Sequence, residues 1–414
     1  MKRLVILGAG TAGTMIANSL VHRLPADWEI EMVDPSWTHL YQPGLLFVPF
    51  GLEDPASLSR SIEGLIPESV THTRAEVERI DTEHRGVVLD DGSILTYDQL
   101  VIASGTTPRP DMTPGMTEFG WRDTVHEFYT LAGATALREA LSRFDGGRIV
   151  VHVTEMPIKC PVAPLEFAFL ADDHFKRRNM RELVDITYVT PLSGPFTKPI
   201  AAEKLGGMLE SRGIGLEPDF MIEFVEDGAI VSYDERRVSF DLLVTVPVNM
   251  GADFVATSGL GDELNHVRVD PHTFLADGLD DVFAIGDAAA LPTSKAGSTA
   301  HFAVEVFVDN FLEHIEGRAM THSFDGHANC FVEAGGGKAL LIDFNYDTEP
   351  LPGVYPVPGI GPLQLLRETR LNHWAKLAFQ TIYWKMLLPG RPLPVPNHMS
   401  MAGKVRPIRE ESRV

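Results

Sequence analysis

Cysteine is scarce in this sequence of 414 residues, which contains only Cys160 and Cys330. Two cysteines so far apart form no metal-ligand cluster, and a structural disulfide is disfavoured in a reducing cytosol, so we expect no metal site. Positive charge is also scarce, because 35 Lys and Arg stand against 57 Asp and Glu, for a net charge of −22. Such a charge repels polyphosphate, so nucleic acid is not expected as a partner.

Long hydrophobic runs are missing at the N-terminus. The chain starts "MKRLVILGAG", in which the apolar run before the first glycine is too short for the core of a signal peptide. We therefore expect the protein on the cytoplasmic side of the cell membrane. The composition, 44% hydrophobic and 22% charged, is typical of a globular chain with two or three domains.

A glycine-rich motif follows the first predicted strand. In "KRLVILGAGTAGTMIANSL", residues 2–20, the pattern G-x-G-x-x-G places Gly8, Gly10 and Gly13 between a strand and a helix. The first glycine makes a tight turn, the second lets a pyrophosphate approach backbone N–H groups, and the third permits close packing of the helix. Asp34 ends the next strand, "EIEMVD", where a carboxylate accepts hydrogen bonds from ribose hydroxyls. This pattern predicts a dinucleotide site.

Two later segments indicate which dinucleotide is bound. "YDQLVIASGTTPRP", residues 97–110, and "LDDVFAIGDAAALPTSKAGSTAH", residues 279–301, resemble paired segments of flavoproteins with two dinucleotide-binding domains. The resemblance implies FAD, with Asp287 at its ribityl and phosphate region. A helix that begins near Ser298 would direct its N-terminus at the flavin ring. The predicted cofactor contacts in these segments are Ser104, Gly105, Gly286, Asp287, Lys295 and Ala300.

The resemblance implies an α/β fold with two Rossmann-like dinucleotide-binding domains, of which the FAD domain is discontinuous. A C-terminal region that lies at a membrane interface or in a dimer completes the chain. The predicted boundaries are 1–111 and 254–325 for the FAD domain, 112–253 for the second Rossmann-like domain, and 326–414 for the C-terminal domain.

The second domain lacks the glycines that a second dinucleotide would need. The predicted strand "RIVVHV" continues into "TEMPIKCPVAPLE", residues 154–166, which contains no glycine. Side chains at 154–157 would obstruct a pyrophosphate, and Pro157 has no backbone N–H to donate. The next strand, "VDITYVTP", ends without the acidic residue that would hold a ribose. We therefore expect a Rossmann scaffold without its nicotinamide site.

The stretch "KCPVAPLE", residues 159–166, resembles the K-C-x-x-A-P-x-E motif of sulfide:quinone oxidoreductases and the related flavocytochrome c sulfide dehydrogenases. The resemblance implies that Cys160 lies against the flavin. It also implies that Cys330 is the second catalytic cysteine, with Phe331 beside the quinone. Glu166 is the predicted acid/base, and Lys159 is a weaker candidate for an electrostatic role.

Members of that family often contain a third cysteine that helps to bind or attach FAD. The corresponding region, "GWRDTVHEFYT", offers His126 but no thiol, so FAD is predicted to be bound non-covalently. The chemistry implied by the family needs a reactive thiolate, which predicts a depressed pKa for Cys160. A cysteine with a structural role would instead be buried and inert.

The C-terminal tail, residues 366–392, reverses the charge of the rest of the chain. Its ionised side chains are Arg367, Arg370, Lys376, Lys385 and Arg391 against Glu368. We predict that this tail lies on a membrane surface, with Trp374, Tyr383 and Trp384 at the polar–apolar boundary and residues 350–362 as a hinge. The alternative is an amphipathic helix that packs on the body of the protein or in a dimer interface.

The sequence therefore predicts a peripheral membrane flavoprotein that oxidises sulfide or a related sulfane species through two cysteines and reduces a quinone. Transfer to cytochrome c is an alternative, and so is a flavin-binding thiol sensor without turnover. A type II NADH:quinone oxidoreductase is disfavoured by the missing second motif. The sequence leaves open whether the protein forms a homo-oligomer.

Overall fold

A computed structural model describes residues 1–357, 361–393 and 395–406. The end of the predicted C-terminal domain, residues 407–414, lies outside this description. Within it, the strands in chain order are β1 (Lys2–Leu7), β2 (Trp28–Val33), β3 (Thr38–Leu40), β4 (Ser59–Ser61), β5 (Thr71–Thr73), β6 (Val77–Asp81), β7 (Gly86–Leu89), β8 (Ile94–Thr96), β9 (Gln99–Ile102), β10 (Thr106–Arg109), β11 (Val125–His126), β12 (Gly147–Val153), β13 (Val184–Val189), β14 (Gly215–Glu217), β15 (Ile222–Glu226), β16 (Ala229–Ser232), β17 (Arg237–Ser239), β18 (Leu242–Val246), β19 (Val248–Gly251), β20 (Val282–Ala284), β21 (Ala328–Glu333), β22 (Ala339–Phe344), β23 (Gly353–Val357) and β24 (Gly361–Leu365).

The α-helices of the same residues are α1 (Thr11–Leu20), α2 (Leu131–Arg143), α3 (Ala163–Arg177), α4 (Pro199–Ser211), α5 (Asp253–Thr257), α6 (Gly297–Ile315) and α7 (Arg370–Ile382). A 3₁₀ segment spans Gln42–Phe50, and α7 continues into a π-helical turn at Tyr383–Leu387.

The first sheet has the strand order β20-β9-β1-β2-β5, and every pair in it is parallel. Its strands come from residues 2–102 and 282–284, so the chain leaves the sheet and later returns to it. The run Leu4–Leu7 is buried, as expected for a strand covered on both faces. α1 and α6 pack against each other beside this sheet.

The second sheet has the order β11-β18-β12-β13-β14 and is also parallel throughout. The antiparallel pair β10 and β19 joins the two halves of the molecule. The observed architecture is thus a mixed α/β fold with two Rossmann-like sheets, which confirms that part of the predicted fold class. The domain boundaries stay a prediction.

The C-terminal part forms a four-stranded sheet with the order β21-β22-β24-β23, against which α7 packs. The predicted hinge at 350–362 is wrong, because most of its described residues form β23 and the start of β24; residues 358–360 lie outside the description. Backbone pairing of residues 353–357 with residues 361–365 satisfies the polar groups that a hinge would leave to water. Among the described residues, no helix has both the length and the apolar character needed to cross a bilayer.

Candidate active site

A cavity of about 560 Å³ lies where the first sheet, the loop after β12 and the C-terminal sheet meet. Residues from all three regions line it. The predicted site residues on its wall are Gly8, Gly10, Asp34, Ser104, Gly105, Cys160, Glu166, Gly286, Asp287, Lys295, Ala300, Cys330 and Phe331. Gly13 lies beneath the wall, within α1. The fold therefore brings together residues that are more than 300 positions apart in the sequence.

The glycines after β1 have distinct local environments. Gly8 has a φ of +107°, and a Cβ there would lie 2.6 Å from the carbonyl oxygen of Ala103. A Cβ on Gly13 would lie 1.9 Å from the carbonyl oxygen of Gly8. A Cβ on Gly10 would meet no protein atom within 4 Å. The first and third glycines are thus required by the turn itself, whereas Gly10 leaves the backbone open towards the cavity.

The residues around this turn fit FAD. Asp34 accepts a hydrogen bond from the backbone N–H of Ala9 at 2.7 Å, so its carboxylate is fixed at the cavity wall. The N-termini of α1 and α6 both reach the cavity, and helix N-termini favour negative charge. The hydroxyls of Ser104 and Thr106 are buried there without a hydrogen-bond partner among the described residues. A polar cofactor with a pyrophosphate satisfies such groups.

Two lysines contribute positive charge to the same wall. Lys295 donates hydrogen bonds through Nζ to the carbonyl oxygens of Asp287, at 2.7 Å, and Ala289, at 3.0 Å. Burial lowers the pKa of Lys295 to about 8. The Nζ of Lys159 donates to the carbonyl oxygen of Thr106 at 3.1 Å, and burial likewise lowers the pKa of Lys159. Both side chains are therefore held by carbonyl groups and lack a carboxylate hydrogen-bond partner in the described chain.

Cys160 lies in the loop between β12 and α3, in the left-handed region with a φ of +50°. Its backbone N–H donates to the carbonyl oxygen of Lys295 at 2.6 Å, and its own carbonyl accepts from the N–H of Ala163 at 2.9 Å. The first bond connects the loop of the second sheet to the cofactor-side loop after β20, and the second joins Cys160 to the start of α3. The side chain of Cys160 is half-buried and lines the cavity.

Cys330 reaches the cavity from β21 and is 8% exposed. Both cysteines are free. Burial raises the pKa of Cys330 to about 12. Burial, followed by the nearby charge of Glu166, raises the pKa of Cys160 well above its usual range. The predicted depressed pKa of Cys160 is therefore wrong, because the surrounding protein atoms and the nearby carboxylate of Glu166 both disfavour the thiolate.

Glu166 lies in the first turn of α3 and is buried. Its carboxylate accepts hydrogen bonds from the backbone N–H of Glu333, at 2.5 Å, and from the Nζ of Lys376. Burial raises the pKa of Glu166, and the ammonium of Lys376 partly offsets that effect. Lys376 also lowers the pKa of both thiols.

Lys376 is a site residue that sequence reasoning missed, because it was counted only among the positive charges of the tail. It lines the cavity from α7, and its Nζ also donates to the carbonyl oxygen of Phe331 at 3.3 Å. Asn372 and Lys376 are four residues apart in α7 and lie on its inward face, where Asn372 is buried. A lysine on that face was the signal available in the sequence.

The aromatic residues of the tail do not share one environment. Trp374 is 63% exposed, but Tyr383 is 1% and Trp384 6% exposed. The prediction that Tyr383 and Trp384 lie at a membrane boundary is wrong, because their rings pack beside the cofactor turn with His39 and Tyr41. The exposed apolar side chains of α7 are Leu371, Trp374 and Leu377.

A dinucleotide turn, an acidic residue on the ribose side and two thiols on one cavity define a flavin-dependent oxidoreductase with two Rossmann-like sheets. The chain belongs to the pyridine nucleotide-disulphide oxidoreductase family, whose sequence profile matches residues 2–305. The members of this family bind FAD, which confirms the predicted cofactor.

Alignments with similar proteins cover most of the chain. The mitochondrial sulfide:quinone oxidoreductase of Dictyostelium discoideum is 26% identical over 399 residues, covering 94% of this chain and 87% of that protein. Its counterpart in Schizosaccharomyces pombe is 26% identical over 378 residues, covering 84% and 82%. The crystal structure of the Aquifex aeolicus sulfide:quinone oxidoreductase superposes with a TM-score of 0.80 at 19% identity, covering 94% and 92%. The resemblance predicted from "KCPVAPLE" is confirmed.

Proposed function

We propose that this protein oxidises sulfide, or a related sulfane species, through Cys160 and Cys330 and passes the electrons from FAD to a quinone. The observation that carries the proposal is that both thiols line the same cavity as the dinucleotide turn. The two relatives that cover 94% and 84% of the chain are named for this activity. Bound FAD supplies the two-electron acceptor that a quinone reoxidises.

The two cysteines have separate proposed tasks. In the oxidised pair, hydrosulfide attacks the sulfur of Cys330 and the S–S bond breaks. Cys330 becomes a persulfide and Cys160 leaves as a thiolate, so one S–S bond replaces another. The ammonium of Lys376 stabilises that thiolate, because it lowers the pKa of Cys160. Glu166 and Lys376 together are placed to hold and return a proton beside both sulfur atoms.

The other predicted site residues keep their proposed roles. Gly10 and Asp34 contact the dinucleotide part of FAD, Gly8 and Gly13 shape the turn that holds it, and the cofactor is bound without a covalent bond. Phe331 contacts the quinone, since it lines the cavity beside Cys330. The remaining proposed FAD contacts are Ser104, Gly105, Gly286, Asp287, Lys295 and Ala300.

We also propose that α7 binds the cytoplasmic surface of a membrane. Its exposed face carries Leu371, Trp374 and Leu377, and exposed basic residues are present at Arg370 in the helix and at Lys385 in the π-helical turn. Apolar side chains flanked by basic ones suit the interface of an anionic bilayer. Changing the three apolar residues to serine is expected to abolish co-sedimentation with phosphatidylglycerol vesicles, while sulfide still reduces the flavin. Unchanged co-sedimentation would refute this proposal.

The catalytic proposal is tested by anaerobic mixing. The purified protein is mixed in turn with sulfide, thiosulfate and a small thiol, and the visible absorbance of the flavin is followed. Sulfide is expected to bleach the flavin at least as fast as the enzyme turns over in the steady state. Addition of a water-soluble quinone is then expected to restore the colour. Bleaching by none of the sulfur compounds would overturn the proposed function, and bleaching without reoxidation by quinone would indicate another acceptor.

A further inference from the structure

A chain of hydrogen bonds links the C-terminal tail to the cofactor turn. The phenolic oxygen of Tyr383 lies 2.7 Å from the Oγ1 of Thr11 and 2.6 Å from the Nε2 of His39. The Nδ1 of His39 lies 3.0 Å from the carbonyl oxygen of Ala9. His39 and Tyr383 are buried, and both line the cavity. The two ends of this series of hydrogen bonds are Ala9 and Thr11, the residues on either side of Gly10.

Each donor in this chain can be assigned. The carbonyl oxygen of Ala9 can only accept, so the Nδ1 of His39 carries the hydrogen. Burial lowers the pKa of His39, so the ring is neutral and its Nε2 accepts from the hydroxyl of Tyr383. The hydroxyl of Thr11 then donates to the oxygen of Tyr383. Replacement of Tyr383 removes the partner of the Thr11 hydroxyl and of the His39 Nε2. Replacement of His39 leaves the carbonyl oxygen of Ala9, within the described part of the chain, with only the bond from the Oγ1 of Thr14 at 3.0 Å.

The tail has further contacts with the same helix. The side-chain amide of Asn18 donates to the carbonyl oxygen of Leu388 at 2.9 Å. Gly390 lies so close to Ser19 that a Cβ on the glycine would be 2.5 Å from the serine hydroxyl. Tyr383 also begins the π-helical turn, and such turns often occur at functional sites. The segment 383–390 therefore contacts α1 from its first turn to its last.

We propose that Tyr383 and His39 are cofactor-positioning residues, which hold the backbone of residues 9–11 in its pyrophosphate-binding conformation. Retention of FAD then depends on the packing of residues 383–390 against α1. Tyr383 lies outside the residues that the family profile matches, 2–305. The proposal rests on the cofactor and not on the sulfur substrate. Because coupling between two equilibria is reciprocal, bound FAD in turn stabilises the packing of residues 383–390 against α1.

The first experiment measures FAD affinity. The apoprotein is titrated with FAD, and binding is followed by quenching of flavin fluorescence. Tyr383→Phe and His39→Gln are each expected to raise the FAD dissociation constant by three- to tenfold, the range for loss of one buried hydrogen bond. The double variant is expected to bind about as weakly as the weaker single variant, because both changes break the same chain.

Tyr346→Phe is the matched control. Its hydroxyl donates one partly buried hydrogen bond, to the carbonyl oxygen of Pro271 at 2.9 Å, but Tyr346 does not line the cavity. This variant is expected to bind FAD as the parent does. Parental affinity in both Tyr383→Phe and His39→Gln would overturn the proposal, and so would an equal loss of affinity in Tyr346→Phe.

A second readout uses proteolysis. Lys385 is exposed, and trypsin cleavage after it reports release of the tail. FAD is expected to slow this cleavage several-fold in the parent and less in Tyr383→Phe. Equal protection of both proteins by FAD would show that the cofactor and the tail are not coupled through Tyr383, whatever the substrate of the enzyme.

Discussion

The two parallel sheets differ most in the loop that follows the equivalent inner strand. After β1 the chain turns through Gly8, Gly10 and Gly13 into α1, whereas after β12 it passes through residues 154–162 without a glycine before α3. Both strands are buried along most of their length. The strand arrangement is thus the same in both sheets, which differ in this loop and in the residue after the next strand, Asp34 after β2 and Thr190 after β13.

The difference shows how one scaffold supplies two kinds of chemistry. The first loop exposes backbone, and its glycines leave room for a cofactor. The second loop exposes side chains, and it presents Lys159 and Cys160 to the cavity at the corresponding edge of its sheet. Function therefore depends on what the loop carries and not on the sheet beneath it.

The largest expected effect comes from removing the thiol of the second loop. Cys160→Ser keeps the size of the side chain but removes the nucleophile, so sulfide-dependent reduction of the flavin is expected to fall by several orders of magnitude. Anaerobic stopped-flow absorbance measures this rate. Cys330→Ser is expected to abolish turnover similarly, and both variants are expected to retain FAD. Parental rates in both variants would contradict the proposed role of the pair.

A smaller effect is expected from the charge next to that loop. Lys376 lowers the pKa of both thiols, so Lys376→Met is expected to raise the pKa of Cys160 and Cys330 further. Cys160 then leaves less readily as a thiolate, so the rate of flavin reduction at neutral pH is expected to fall about 10- to 100-fold. The increase of this rate with pH is expected to occur at higher pH than in the parent. The pH dependence of the stopped-flow rate measures this shift. Lys385→Met, on the exposed side, is the control and is expected to leave the profile unchanged.

The loop after β1 is tested by adding a methyl group at Gly13, where the backbone leaves no room for a Cβ. Gly13→Ala would place a Cβ 1.9 Å from the carbonyl oxygen of Gly8, so the turn has to move. Overpacking of this kind costs about 1–3 kcal/mol, and FAD affinity is expected to fall about 10- to 100-fold. Gly207→Ala, in α4, meets no atom within 4 Å and is the control. FAD retained after gel filtration measures the loss, and equal retention would refute the packing argument.

The last prediction is that one reaction does not occur. The second loop has no glycine to admit a pyrophosphate, so NADH and NADPH are expected not to reduce the flavin at a useful rate. Stopped-flow mixing with each nucleotide, with sulfide as the positive control, tests this expectation. Rapid bleaching by NADH would contradict the proposal that the loop after β12 does not admit a pyrophosphate.

Much of the site was predictable because its motifs are local. Gly8, Gly13 and Cys160 stand at fixed distances from the strands that precede them, so a strand followed by the right residues indicates where each side chain goes. Glu166 follows Cys160 by fewer than two helical turns and could be placed with it. The pairing of such segments with Cys330 depended on family resemblance, since spacing alone does not bring distant strands together.

The environment of those residues was not predictable. A sequence does not show how deeply a thiol is buried, and burial is what raised the pKa of Cys160 when a depressed value was expected. The tail was misjudged for the same reason. Its aromatic residues look alike in the sequence, but Trp374 faces out and Tyr383 packs against the cofactor turn.

The sequence by itself determined the strand–loop–helix units, a dinucleotide site and the missing second dinucleotide motif, because these follow from short-range sterics and from which groups a loop can offer. The choice of FAD as the dinucleotide came from the family resemblance. Only the tertiary structure decided that Lys376 pairs with Glu166 and that Tyr383 completes the turn after β1. Those contacts join segments that are hundreds of residues apart. Their existence depends on how whole sheets and helices pack, and no local pattern encodes that packing.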